Sequence, residues 1–300
     1  MHRLKLIHRH LSACPVAASS SQTCYSAAGE KTSVCITDIY LADGMIAWSE
    51  AGFTVQSYDR SELNDALPIA WKKVDRKLAL VNIGSIRVHL LDIPNQLGIL
   101  GWSLSGLPSE APPALLAGIM TYPQTCPSSV TDVESLAEHP NTSLRLGELV
   151  IFTPDLRASI ANLAAAGFSR NGSNCCSDDD DCAGPPQALP GGVLAMASFF
   201  AIDTCTNDIR LLIVGPKDIG VIAREPEWLI GKGCGTELTC WLYVVRDIDV
   251  MEQSMKTVVD QVRPLRSQPN RRYTSLARSR IEGLTGTHSF WSDLPGVPLF

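Results

Sequence analysis

Short apolar runs and short amphipathic stretches alternate along this chain in a recurring order. Ser33–Leu41 (SVCITDIYL) is β-branched and aromatic, and reads as a strand. Asp43–Ala51 follows as a helix, ended by Gly52, a residue that tolerates a left-handed cap. Phe53–Ser57 is a second strand. Leu78–Ile83 and Ile86–Ile93 are two more, joined at Gly84-Ser85, a hairpin signal. The order from about Thr32 to Ile93 is β-α-β-β-β.

The same order returns twice. Glu148–Thr153 is a strand, and Asp155 is placed to cap a helix. Ile160, Leu163 and Ala164 form that helix's buried face, and Gly167 ends it. Leu194–Ile202 and Ile209–Val214 supply the strands that follow. A third copy opens with Cys240–Val245. Asp249 and Glu252 resemble a capping box, and Met251, Met255, Val258 and Val262 form the clearest helical stripe in the chain. Arg272–Ala277 and Thr287–Ser292 close this copy. The segment AWSEAGFTV (Ala47–Val55) is echoed by NLAAAGFSR (Asn162–Arg170), as an internal repeat requires. Gly98–Leu104 reads as the remnant of a further copy.

The resulting plan assigns 1–30 to a targeting peptide or disordered tail and 31–107 to a first unit with an extra strand. Residues 108–143, rich in Pro and Ser, read as a linker. Residues 144–294 hold the paired second and third units, with a polar insertion at 169–192 expected to be disordered.

Composition narrows the function classes. With 45% hydrophobic and 19% charged residues the chain suits one or two globular domains. A net charge of -6 argues against a nucleic-acid partner. No apolar run reaches the roughly 18 residues that span a bilayer, so no membrane partner is expected. Ten unevenly spread cysteines, several in strand-like runs (Cys35, Cys205, Cys240), suggest free thiols rather than a disulfide framework. No acid precedes Glu30, while Arg3, Lys5 and Arg9 accompany Leu4, Ile7 and Leu11 at helical spacing. That is the make-up of a transit peptide, favouring the mitochondrion over a plastid or the cytoplasm.

The repeated plan, carried by AWSEAGFTV, GILGWSLSG (Gly98–Gly106), HPNTSLRLGELVIFTPDL (His139–Leu156) and RRYTSLA (Arg271–Ala277), resembles the glyoxalase-like proteins of the vicinal-oxygen-chelate superfamily. The resemblance covers roughly Thr32 to Ser292. It implies an α+β fold: repeated βαβββ units forming curled, half-open mixed β-sheets with helices outside. It also implies a divalent metal, held by His and Glu side chains from the first and last strands of each unit, acting as a Lewis acid.

Aligning the units on AGF and on PDL/RDID finds those positions in this chain. The first-strand positions are Ser33, Glu148 and Cys240; the last-strand positions are His89, Leu212 and, approximately, His288. Ser33 and Leu212 are poor ligands. The candidate metal set is therefore Glu148, His288, His89 and Cys240. Glu148, Cys240 and His288 meet if the second and third units share a barrel, a set suited to zinc more than to nickel, iron or manganese. Arg271 and Arg272 are candidates for an anionic ligand. No catalytic residue is assigned. Cys175–Cys182 (CCSDDDDC) matches no standard metal spacing, and His139 reads as a junction residue.

Two functions are expected. One is a protein that binds a small organic ligand in a β-barrel cavity, with metal-assisted isomerase, lyase or dioxygenase-type chemistry. The other is a non-catalytic binding or sequestering protein on the same fold with a degenerate metal site. A homodimer is a candidate assembly for either.

Overall fold

Strand β1 (Cys35–Leu41) is buried along all but its first residue, and every other element of the first unit is arranged around it. Strand β4 (Ile86–Leu90) lies parallel beside it, with Asp38 opposite Arg87 and Tyr40 opposite His89. Strands β3 (Leu78–Ile83) and β2 (Gln56–Tyr58) follow outward by antiparallel pairing. Parallel neighbours need a crossover rather than a tight turn. Helix α1 (Met45–Glu50) and the two intervening strands supply it.

This architecture comes from a computed structural model that describes residues 34–58, 78–94, 98–107, 115–124, 138–170, 186–188, 194–202, 208–216, 236–259, 263–264, 271–275, 281 and 283–293. Ser33, residues 1–30, read from the sequence as a targeting peptide or disordered tail, and the Cys175–Cys182 run lie outside the described residues.

On its other side β1 pairs antiparallel with β5 (Ile99–Ser105), the strand expected as a remnant. The 108–143 stretch, read from sequence as a linker, also carries a hairpin. Its strands are β6 (Leu115–Leu116) and β7 (Ile119–Pro123), and β7 lies parallel to β5. Ala117 and Gly118 make its turn with positive φ values of 52 and 79°.

The second and third units repeat the plan. Strand β8 (Ser143–Phe152) has β12 (Asp208–Pro216) parallel beside it, then β11 (Leu194–Ile202). Strands β9 (Ser169–Arg170) and β10 (Gln187–Ala188) both pair with β11. Strand β13 (Glu237–Val245) runs antiparallel to β8 and parallel to β16 (Thr287–Asp293). Strands β15 (Arg271–Ser275) and β14 (Arg263–Pro264) complete that side. The expected α+β fold of curled, half-open sheets is the one found. Among the described residues no helix is long and apolar enough to cross a membrane.

The two half-barrels meet helix side to helix side. Helix α2 (Leu156–Ala165) covers Leu211 and Ile213 with Leu156 and Leu163, all in one large core cluster. Its third buried residue is Ser159; Ala164, expected inward, is exposed. Trp48 of α1 reaches the third unit, edge-on to Trp241 with ring centroids 5.6 Å apart. Phe53 lies 5.1 Å from Tyr243. Gly52 between them has φ 78°, and a Cβ there would meet Met255 Sδ at 2.6 Å. Met255 ends helix α3 (Ile248–Met255). The Gly of the AGF echo therefore answers both a cap and a close inter-unit approach.

Capping follows the repeat with one diversion. Asp155 caps α2 through Ala158 N. Asp247, not Asp249, caps α3 through Asp249 N and Val250 N. The corresponding Asp43 does not cap α1. Its buried carboxylate accepts from Trp48 Nε1 at 3.0 Å, Thr285 N at 2.7 Å and Thr285 Oγ1. Burial pushes its pKa up, and these donors offset that only in part.

Trp48→Ala is expected to cost about 3–5 kcal/mol, read as a lower urea midpoint at unchanged slope. A loss below about 1 kcal/mol would mean the aromatic layer does not join the units. The raised pKa also has a pH consequence. Asp43 holds its proton more tightly folded than unfolded, so its contribution is full below the ordinary carboxylate pKa and is lost as pH rises through the raised value. Asp43→Asn should flatten that fall in urea midpoints across a pH series; an unchanged slope would refute it.

Candidate functional site

The face of each sheet turned away from the helices is concave, and residues alternate between the two faces. In the second unit Leu149 and Ile151 join the helix-side core. Val150, Phe152, Leu212 and Val214 form a separate cluster with Leu194 and Met196 on the opposite face. Glu148 shares that concave face, with Arg210 directly opposite on β12. Arg210 Nε donates to Glu148 Oε2 at 2.5 Å, and Nη2 contacts the same oxygen. Burial raises the Glu148 pKa, and the guanidinium offsets part of the rise.

Cys240 enters this face from β13, packed against the small apolar cluster. Its Sγ is 4.0 Å from Ser289 Oγ on β16. Burial, reinforced by the nearby Glu148 charge, pushes the thiol up to about 12. Leu242 and Trp291, both half-buried, extend the same face.

The first unit's concave face carries a second charged group. Asp38 is fully buried and accepts from Arg87 Nε at 2.8 Å, Arg87 Nη2 at 3.1 Å and His89 Nε2 at 2.8 Å. Burial alone would raise the Asp38 pKa, but the contacts with His89 and Arg87 outweigh it and hold the carboxyl below its ordinary value. Tyr40 stacks on His89 at 4.9 Å and shares a hydrogen bond with Ser103 Oγ at 2.9 Å.

These placements divide the sequence candidates. His89 lies in the first half-barrel, while Glu148 and Cys240 share the second. His288 lies on the helix side, not in the cavity. It stacks between Trp241 and Tyr243 at 5.8 and 5.6 Å, and Nδ1 is 2.9 Å from the Tyr243 hydroxyl. Its neighbour Ser289 takes the concave position, because one residue along a strand reverses the face. Leu212 is opposite Val150 and purely apolar in its contacts. Arg272 is bound to Asp249 of α3 at 2.5 Å; the side chain of Arg271 is not among the described ones. His139 uses both ring nitrogens structurally, on Thr54 N and Asn82 O.

Sequence reasoning misses Asp38, Arg87 and Arg210. Each is a charge inside an otherwise apolar run: CITDIYL, IRVHL and DIRLLIV. That isolation was the available signal, since a buried charge needs a partner.

No family model matches the sequence, and no curated protein matches it. Solved structures do. A triple mutant of 4-hydroxymandelate synthase from Streptomyces coelicolor superposes with a TM-score of 0.53 at 13% identity, covering 89% of this chain and 94% of that one. The chain has the vicinal-oxygen-chelate fold. A xylose isomerase-like TIM barrel/4-hydroxyphenylpyruvate dioxygenase fusion protein also aligns, with a TM-score of 0.51 and 8% identity. It is covered over 50% of its own length and 89% of this chain.

The metal this fold implies does not suit the side chains present. Among the described residues no group of three His, Cys, Asp or Glu gathers as a metal site. Glu148 is engaged by a guanidinium, Cys240 is held as a neutral thiol, and Ser289 is a weak neutral donor. A dication would also meet the charge of Arg210. In the first half-barrel Arg87 stands against the Asp38–His89 pair in the same way.

Cys240 in the folded protein should resist iodoacetamide at neutral pH and react on unfolding in guanidinium. Mass spectrometry of its peptide reads the difference, and rapid labelling of the folded chain would contradict a protonated thiol.

Proposed function

We propose that this protein binds a small, oxygen-bearing organic ligand in the half-barrel of the second and third units, and that it does so without a metal. The observation that carries this is the Glu148–Arg210 pair. It stands on the adjoining first and last strands, where the fold's metal chemistry calls for a His and Glu pair. Arg210 brings a fixed positive charge to the concave face, and Glu148 holds its Nε and Nη2 edge. The other guanidinium edge can donate to ligand oxygens in a fork. Val150, Leu212, Leu242 and Trp291 offer apolar surface beside it. One charged group among apolar walls is the make-up of a small-molecule site.

A second reading keeps metal-assisted isomerase or dioxygenase-type chemistry. It is favoured by one observation: Glu148, Cys240 and Ser289 come from three neighbouring strands onto one face. The fold similarity to 4-hydroxymandelate synthase is compatible with it.

Metal analysis separates the two. Protein expressed with zinc, nickel, iron and manganese should purify with none of them at stoichiometric level. It should not turn over catechols or hemithioacetals when these metals are added. A stoichiometric metal that restores turnover would overturn the binding reading.

A further inference from the structure

His139 lies at the junction between the first unit and the paired second and third, and its ring stands inside a strand ladder. Strands β2 and β3 pair antiparallel, with Gln56 opposite Leu80, Ser57 opposite Ala79 and Tyr58 opposite Leu78. Carried two residues further, that register sets Thr54 opposite Asn82. The contact between them runs through the imidazole. Thr54 N donates to His139 Nδ1 at 3.1 Å, and His139 Nε2 donates to Asn82 O at 2.7 Å. The ring takes the place of the rung that would join Thr54 N–H to Asn82 C=O.

These partners fix the proton. A backbone N–H only donates and a carbonyl only accepts, so the ring is neutral with its hydrogen on Nε2. In the imidazolium both nitrogens are donors, and Nδ1 would meet the Thr54 N–H with a hydrogen of its own. His139 is 6% exposed, and Phe53 packs edge-on to it at 5.4 Å. Burial lowers its pKa, and the bond to Asn82 O offsets part of the fall. Charged groups on the surrounding elements are engaged elsewhere or exposed. Glu138 pairs with Arg246 at the end of β13. Asp247 caps α3, and Arg145 of β8 lies against the Gly84 turn. Arg87, across from Asn82 on β4, is held by Asp38. Glu50 of α1 and Lys256 after α3 are exposed.

The junction therefore has two arrangements. With the ring withdrawn, Thr54 N–H and Asn82 C=O can pair directly, so neither is left without a partner. The rest of the junction stays anchored by bonds that do not titrate. Asn141 N donates to Gly52 O, Asn141 Nδ2 to Ala51 O, and Thr142 Oγ1 to Asp247 O.

We propose that His139 is a pH-operated buckle between the first unit and the rest: its neutral ring fastens the junction into the β2–β3 ladder, and its protonation expels the ring and lets Thr54 close on Asn82. Once released, the ring regains an ordinary pKa of about 6.5, above its value in the buckled form. The buckled form thus has its full advantage above that pH and loses it as pH falls toward the lowered value. This inference is independent of the Arg210 reading.

Nuclear magnetic resonance of the full chain, titrated from about pH 7.5 to about pH 4.5, tests it. At the neutral end the His139 ring nitrogens should report the Nε2–H form. Protonation should follow at an apparent pKa below about 6.5. Over the same interval the Thr54 and Asn82 amides should shift to a second position and gain a direct contact with each other. In His139→Gln the side-chain amide can accept from Thr54 N and donate to Asn82 O without titrating. The two backbone amides should then stay in place. Asp43 titrates alike in both proteins, so the comparison removes its contribution. Any of five results overturns the proposal: an Nδ1–H ring, no protonation by the acid end, protonation without the new Thr54–Asn82 contact, an equal shift in His139→Gln, or global unfolding in the same interval. All but the fourth are read in the wild type, so the test stands even where the variant fails to fold.

Discussion

Each unit lays its last strand parallel to its first, and that pairing decides what the concave faces can hold. It sets residues far apart in sequence into fixed register. Asp38 is opposite Arg87, and Glu148 is opposite Arg210. Both units thus put an acid on the first strand and an arginine on the last. A buried charge left alone costs several kcal/mol, roughly what is lost when one member of such a pair is removed. The two members are therefore bound to each other as strictly as the strands are. A pair of this kind adds little net stability against apolar residues of the same size. Its presence in both half-barrels fixes an arginine beside an acid on the same face of each sheet.

Most of the fold was legible in the sequence because strands and helices leave different periods. Leu78–Ile83 and Leu194–Ile202 have the bounds their apolar runs announce. The hairpin at Leu115–Pro123 was hidden because its strands are short and set in a Pro-rich stretch. The cap of α3 was displaced by two residues, since Asp247 and Asp249 both suit the position and only geometry chooses between them.

The site was legible in part, for physical reasons. Glu148 and Cys240 stand at the same distance from their units' helices, and the structure puts both on one face. His288 misses by one residue, and on a strand one residue is the whole difference between core and cavity. In the first unit the pairing of β1 with β5 shifts register between Ile36 and Asp38. Counting from the AGF echo cannot see such an irregularity, so it does not lead to Asp38. Nor does the sequence reveal that Arg87, 49 residues away, is its partner. The scaffold is thus more legible than the site, as expected when function lies in sites grafted on a fold.

Asp43 and Thr285 are 242 residues apart in a chain of 300. Their bond closes nearly the whole polypeptide into a loop, and Trp48 depends on the same late segment for its neighbours. Contacts of such long range are slow to form, because loop closure comes before its reward. During synthesis the first helix therefore emerges well before the surface that buries its tryptophan exists. The repeat makes each unit locally complete, but this tie makes the first unit wait for the last.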